Sequence, residues 1–316
     1  MKKILRIALL CSATILFALA LIYKPHKRSE KFEIVTSNFP TYDFVRAITA
    51  NTNINIKMLT KPGSDLHEYE PSPQDIIDIQ NSKAFVCVGG ESEEWLDSIL
   101  DNIDQNQTKI IKIIDLSPKM QENSQNIIEK TEESGANEEK AEVDEHVWTS
   151  IKNSIQIIEQ LNLQLSEKFP DFSQTFKQNS TNYTEILAKI DEKLENLTKS
   201  HQNQTLIFAD RFPFAYFFKD YNLDYIAAFP GCAHESEASP TTITKLTEYV
   251  KEYGIHYIYT IELSDQKIAR TIAETTGAEI LTLNSAHNIS AEDFENGQTY
   301  AEIMENNYNI LEKSLK

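Results

Sequence analysis

Residues 61–75 read KPGSDLHEYEPSPQD. An apolar, β-branched run at 54–59 precedes them, and Pro73 suits the first turn of a helix that the spacing predicts over 73–81. The stretch is thus the loop of a strand–loop–helix unit, and it carries His67 among Asp65, Glu68 and Glu70. Loops at the carboxyl ends of strands are where α/β folds bind ligands. An imidazole set among carboxylates in such a loop is a metal-type donor group.

Working outward, strands are predicted at 32–36, 54–59, 84–88 and 109–115, and helices at 38–50, 73–81 and 93–102. This alternation means a parallel sheet with helices on its faces. It breaks at 121–145, which holds nine Asp/Glu and almost no aromatic residue. That composition reads as a disordered acidic insertion, spanning 119–145 of the first lobe. A helix at 151–165 follows, then a longer one from about Pro170 to Lys199. Phe172, Phe176, Tyr183, Leu187, Ile190, Leu194 and Leu197 form one apolar stripe along it. Without a partner helix beside it, such a helix could be a rigid strut. The alternation then resumes, with strands at 205–209, 225–228, 257–261 and 279–283 and helices at 213–220, 241–253, 265–276 and 291–315.

The fold class expected is α/β, with two parallel-sheet lobes joined by a single long rigid helix. The lobes cover 32–168 and 204–316, the helix 169–203, and residues 1–31 are a signal or anchor segment with a basic tether. Lys2, Lys3 and Arg6 precede an apolar run to Tyr23, near the ~20 residues that span a bilayer. The segment can stay as an anchor, be cleaved after Ala18-Leu19-Ala20, or be lipidated at Cys11, since Ala8-Leu9-Leu10-Cys11 loosely resembles a lipobox. Each option places the bulk of the chain outside the cytoplasm, attached to the membrane or released from it. Only Cys87 and Cys232 lie beyond this segment, too few for a structural zinc site, and no disulfide is expected from Cys87 in its apolar strand.

The net charge of −18 excludes the basic footprint of a nucleic-acid binder. Beyond residue 30, 24 Lys/Arg face 47 Asp/Glu, a balance that suits cations and also serves solubility. Among the seven histidines, three share one kind of place. His67, His146 and His287 each sit where a strand or insertion hands over to a helix. Three imidazoles leave room for a carboxylate or water, a sphere that suits Zn²⁺ and accepts Mn²⁺. The weaker fourth-ligand candidates are Asp210, Glu262 and Glu68. No HExxH, GxSxG, Walker or GxGxxG motif is present.

These residues carry a resemblance. Gly63 to Pro73, GSDLHEYEPSP, resembles the GxxxHxxEPxP stretch of the solute-binding proteins of zinc and manganese ABC importers. Asp144-Glu145-His146-Val147-Trp148 is similar to their DxHxW motif. Phe214-Ala215-Tyr216-Phe217, Asp220-Tyr221-Asn222-Leu223 and the segment 235–240 resemble their aromatic helix, the stretch after it and their ExExSP segment. The resemblance implies two α/β lobes on a rigid helix, one metal in the cleft with His67 and His146 as ligands, and delivery to a membrane permease with its ATPase. It implies a monomer and no enzyme. Two positions depart from the pattern. Arg211 stands where a histidine or glutamate ligand is usual, and Asn284 where an aspartate is usual. Arg211 cannot ligate a metal, so His287 is expected to substitute. The alternatives are a zinc-dependent hydrolase of the cell envelope and an adhesion or interaction protein with a vestigial cleft.

Overall fold

The first four strands form one parallel sheet. They are β1 (Ile34–Thr36), β2 (Ile56–Met58), β3 (Ala84–Cys87) and β4 (Lys109–Lys112), in the order β2-β1-β3-β4. The computed structural model describes residues 32–64, 69–122, 126–129, 143–201, 204–231, 233 and 238–315. The targeting segment, His67 and Cys232 fall outside these. No helix among the described residues is long and apolar enough to cross a membrane. β3 is buried along its whole length, as a strand covered on both faces must be. Its Cys87 is a free thiol.

Helix α1 (Phe39–Ile48) starts from a capping box between Asn38 and Thr41, and α2 (Pro73–Asn81) from one between Ser72 and Asp75. Helix α3 (Trp95–Leu100) is short. The strand predicted at 109–115 stops early, because Ile113–Asp115 turns into a single 3-10 turn. A continuous apolar run is buried equally well either way, so its periodicity could not separate the two.

Helices α4 (Ile151–Lys168) and α5 (Ser173–Lys199) follow, joined by a 3-10 turn at Pro170–Phe172. The 27 residues of α5 reach about 40 Å at ~1.5 Å per residue. The long helix that links the lobes has a partner helix beside it. α4 packs along α5, because its own stripe of Ile157, Ile158, Leu161 and Leu165 needs cover and finds it against the α5 stripe.

The second sheet contains β5 (Thr205–Phe212), β6 (Asp224–Pro230), β7 (Tyr257–Thr260) and β8 (Glu279–Thr282), all parallel in the order β6-β5-β7-β8. Its helices are α6 (Ala215–Asp220), α7 (Pro240–Glu252), α8 (Lys267–Thr276), α9 (Ala291–Glu295) and α10 (Tyr300–Ser314). The mostly helical stretch expected at 291–315 is two helices. Gly297 takes a left-handed conformation, and a capping box between Thr299 and Glu302 starts a new helix.

The chain therefore forms the two parallel-sheet α/β lobes and long helix that its patterning implies. α1 from the first lobe and α10 from the second both pack on α5, so one core cluster runs through both lobes. Asp43 sits at that junction, 1% exposed. It accepts hydrogen bonds from the Tyr183 hydroxyl at 2.5 Å and the Tyr300 amide at 3.0 Å, and pairs with Arg46.

Part of the acidic insertion departs from the disorder expected of it. Residues 126–129 lie along the edge strand β6. The Ala227 amide donates to Asn126, and Ile128 and Glu129 donate to Ala227 and Ala228 at 3.0 and 2.9 Å. Ile127 and Ile128 are an apolar pair within the charged stretch, and β6 offers them an unpaired edge. The Glu129 carboxylate accepts from the Ser239 and Thr242 hydroxyls at the start of α7.

Candidate metal centre

His146 comes from the turn that follows the insertion. Asp144 accepts from the His146 amide and meets its ring Nδ1, both at 2.9 Å. With Nδ1–H directed to the carboxylate, Nε2 is the atom placed to ligate. Burial draws the His146 pKa down. The hydrogen bond and charge of Asp144, with the charges of Glu145 and Glu122, outweigh burial and raise it above its ordinary value. The Asp144 carbonyl is fixed in turn by the Tyr216 hydroxyl of α6.

His287 comes from the loop after β8, and this loop is built around Glu262. One Glu262 oxygen accepts from the Ser285 amide at 2.7 Å, the other from the Ser285 hydroxyl at 2.6 Å and the His287 amide at 3.1 Å. Burial pushes the Glu262 carboxyl up, against the pull of those donors. Ala286 holds a positive φ of 57°, and its amide donates to the Asn284 side chain at 2.7 Å. Asn307 of α10 exchanges two further bonds with the Asn284 backbone.

The carboxyl-end loops of the two sheets meet here. The His146 and His287 rings lie 5.2 Å apart, edge to face, with the Trp148 ring 5.3 and 5.4 Å from them. Gly231, just past β6, presses on His146 so closely that a Cβ on it would stand 3.1 Å from the His146 Cε1. Gly63, on the loop that leads to His67, donates its amide to the Ile289 carbonyl at 2.8 Å. Ligand atoms of Glu145, His146 and His287 all lie within 4.8 Å of one another, a group that could hold a metal ion.

The structure thus brings together His146 and His287 of the residues singled out in the sequence. His67 and Glu68 lie outside the described residues. Asp210 and Glu262 are not part of the group of three. Asp210 is buried and accepts from the Arg211 amide at 2.8 Å and the Ile261 amide at 3.4 Å. The Arg211 guanidinium donates to the Ala233 carbonyl at 3.4 Å. Glu145 was missed by the sequence reading. Two consecutive donor residues, Glu145-His146, were the available signal. In an extended chain, though, neighbouring side chains point to opposite faces, so only the turn reveals that they converge.

Comparison with known proteins fits this geometry. The family model for the periplasmic zinc-uptake complex component A, ZnuA, matches residues 34–314. The chain is 32% identical to the zinc-binding lipoprotein AdcA of Streptococcus pneumoniae over 99% of its own length and 61% of that protein. It is 27% identical to the high-affinity zinc uptake system protein ZnuA of Bacillus subtilis, over 91% of this chain and 89% of that one. The crystal structure of the Zn(II)-bound ZnuA-like domain of Streptococcus pneumoniae AdcA matches with a TM-score of 0.72 at 28% identity, over 90% of this chain and 99% of that domain. The chain belongs to the family of the periplasmic zinc-uptake complex component A.

Proposed function

We propose that the chain is the extracytoplasmic metal receptor of an ABC importer. It takes zinc as its cargo in the cleft between the lobes and hands it to a membrane permease served by an ATPase. The ligands proposed are His67, His146 and His287. The observation that carries this reading is the approach of His146 and His287, from opposite lobes, to 5.2 Å. Two imidazoles from separate lobes let one ion hold the cleft shut, and a permease can then tell the loaded form from the empty one. The anchoring of Gly63 to Ile289 supports His67 as the third donor, since it ties the approach to the His67 loop to the His287 loop.

Zinc is preferred to manganese because an imidazole-rich sphere suits it, whereas manganese favours oxygen donors. The relatives are named for zinc. The lipoprotein name of AdcA supports attachment to the membrane through the N-terminal segment, with the working part outside the cytoplasm. The test is titration of the purified chain with Zn²⁺ and Mn²⁺, beside His67→Ala, His146→Ala and His287→Ala. One Zn²⁺ per chain, bound more tightly than Mn²⁺ and weakened in each variant, is expected. Stoichiometric Zn²⁺ absent from the wild type would overturn the reading. His287→Ala binding as tightly as wild type would remove His287 from the ligand set.

A further inference from the structure

We propose that Glu145 is itself a ligand of the bound metal, a carboxylate that the first lobe supplies from the residue next to His146. The inference rests on the metal-receptor reading above and extends its ligand set.

The backbone explains how two consecutive residues reach one ion. The Val147 amide donates to the Glu145 carbonyl at 2.8 Å, and His146 has φ −77° and ψ 40°. That is a tight three-residue turn of the inverse-γ kind, and it swings the Glu145 and His146 side chains to the same side. Both are then within 4.8 Å of the His287 donor, measured between ligand atoms. Zinc bonds of about 2.0–2.2 Å ask the three atoms to draw in by roughly an ångström.

The Glu145 side chain is built into the protein and left half used. It is 1% exposed. Oε2 accepts from the Ser92 amide at 3.0 Å and the Ser92 hydroxyl at 2.9 Å. Oε1 is buried and has no hydrogen-bond partner among the described residues. A buried carboxylate oxygen without a partner is costly, and a cation beside the imidazoles removes that cost. Space has been made for it as well. A Cβ on Gly90 would stand 2.2 Å from Glu145 Oε2 and 2.4 Å from its Cβ, so only glycine at 90 admits the carboxylate. Ser92 holds one oxygen, the missing Cβ of Gly90 makes room for it, and the other oxygen stays buried without a partner among the described residues.

The experiment compares the full-length wild type with Glu145→Gln, Ser92→Ala, His146→Ala and His287→Ala. Zn²⁺ affinity is read by chelator competition, the donor set by the Co²⁺ electronic spectrum, and the carboxylate by infrared difference spectroscopy on ¹³C-glutamate-labelled protein. Glu145→Gln is expected to weaken Zn²⁺ at least ~10-fold, shift the Co²⁺ bands, and abolish a carboxylate band change that Zn²⁺ produces in the wild type. Ser92→Ala should fall between the two. If Glu145→Gln keeps wild-type affinity and spectrum while the histidine variants lose metal, the proposal fails and the receptor reading stands. If the histidine variants also bind as the wild type does, the receptor reading fails and takes the proposal with it. Should Glu145→Gln not fold, the infrared change in the wild type decides, and its absence overturns the proposal.

Discussion

The Trp148 indole N–H donates to the Ser285 carbonyl at 2.9 Å, joining the turn that carries His146 to the loop that carries His287. The indole is fully buried, and its own carbonyl accepts from the Tyr300 hydroxyl at 2.6 Å and the Ser154 hydroxyl at 2.9 Å. Trp148 therefore positions both imidazoles while ligating nothing. Trp148→Phe removes the hydrogen bond and leaves a void, which should cost about 1–3 kcal/mol of stability. Zn²⁺ affinity should fall by ~10-fold, because the His287 loop loses its tie to the opposite lobe. Thermal unfolding and chelator competition on the same protein check both effects. Unchanged affinity at reduced stability would confine Trp148 to packing.

Gly231 makes a second cross-lobe contact. A Cβ there would stand 3.1 Å from His146 Cε1, from the Phe212 carbonyl oxygen and from Pro213 Cα. Two of these three neighbours are backbone and yield little, so the imidazole is what shifts. Gly231→Ala is expected to weaken Zn²⁺ binding about 10-fold with the far-ultraviolet circular dichroism unchanged. Wild-type affinity would mean that His146 tolerates the displacement.

Asp43 predicts a stability effect remote from the metal. Burial drives its carboxyl up, and Arg46, Tyr183 and Tyr300 act against that. In Asp43→Asn an amide must face either the Arg46 guanidinium or the Tyr183 and Tyr300 donors. Breaking a buried pair of this kind costs about 3–5 kcal/mol. Urea denaturation should show a loss in that range, and a loss below ~1 kcal/mol would indicate that the junction rearranges.

Glu129 predicts a pH dependence. Burial is the largest single influence and raises its pKa, but the hydrogen bonds from Thr242 and Ser239, with the charge of Lys245, together outweigh it and hold the carboxyl below its ordinary value of 4.5. The folded pKa lies under the unfolded one. The contribution to stability is therefore fully present above pH 4.5 and is lost as pH falls through the depressed value. Glu129→Ala should destabilise the protein by about 0.5–2 kcal/mol at neutral pH, as loss of a helix cap does, and the difference from wild type should shrink below pH 4.5. Amide exchange at Ile128 and Glu129 should quicken in the variant. A difference that persists undiminished at low pH would show that the carboxylate is not its source.

The alternation of strand and helix on both sides of the long helix was legible in the sequence. Hydrophobic periods of two and of 3.6 residues are local, and they report which face of each element must be buried. His146 and His287 could be singled out for a similar reason, since each lies in a loop at an element boundary. Four features were not read from the local pattern. Ile113–Asp115 and the break at Gly297 turn on backbone choices that an apolar run does not record. The pairing of residues 126–129 with β6 depends on an edge strand about a hundred residues away in the chain. The place of Glu145 beside the imidazoles depends on a three-residue turn, on the missing Cβ of Gly90 and on the Ser92 donors, which come together only when β3 and the His146 turn are packed. The sequence by itself determined the two lobes, because burial patterns are written residue by residue, and it singled out three histidines by their place at element boundaries. Which donor groups come within reach of one another was decided by tertiary structure, because distances between them are set by elements that no local pattern connects.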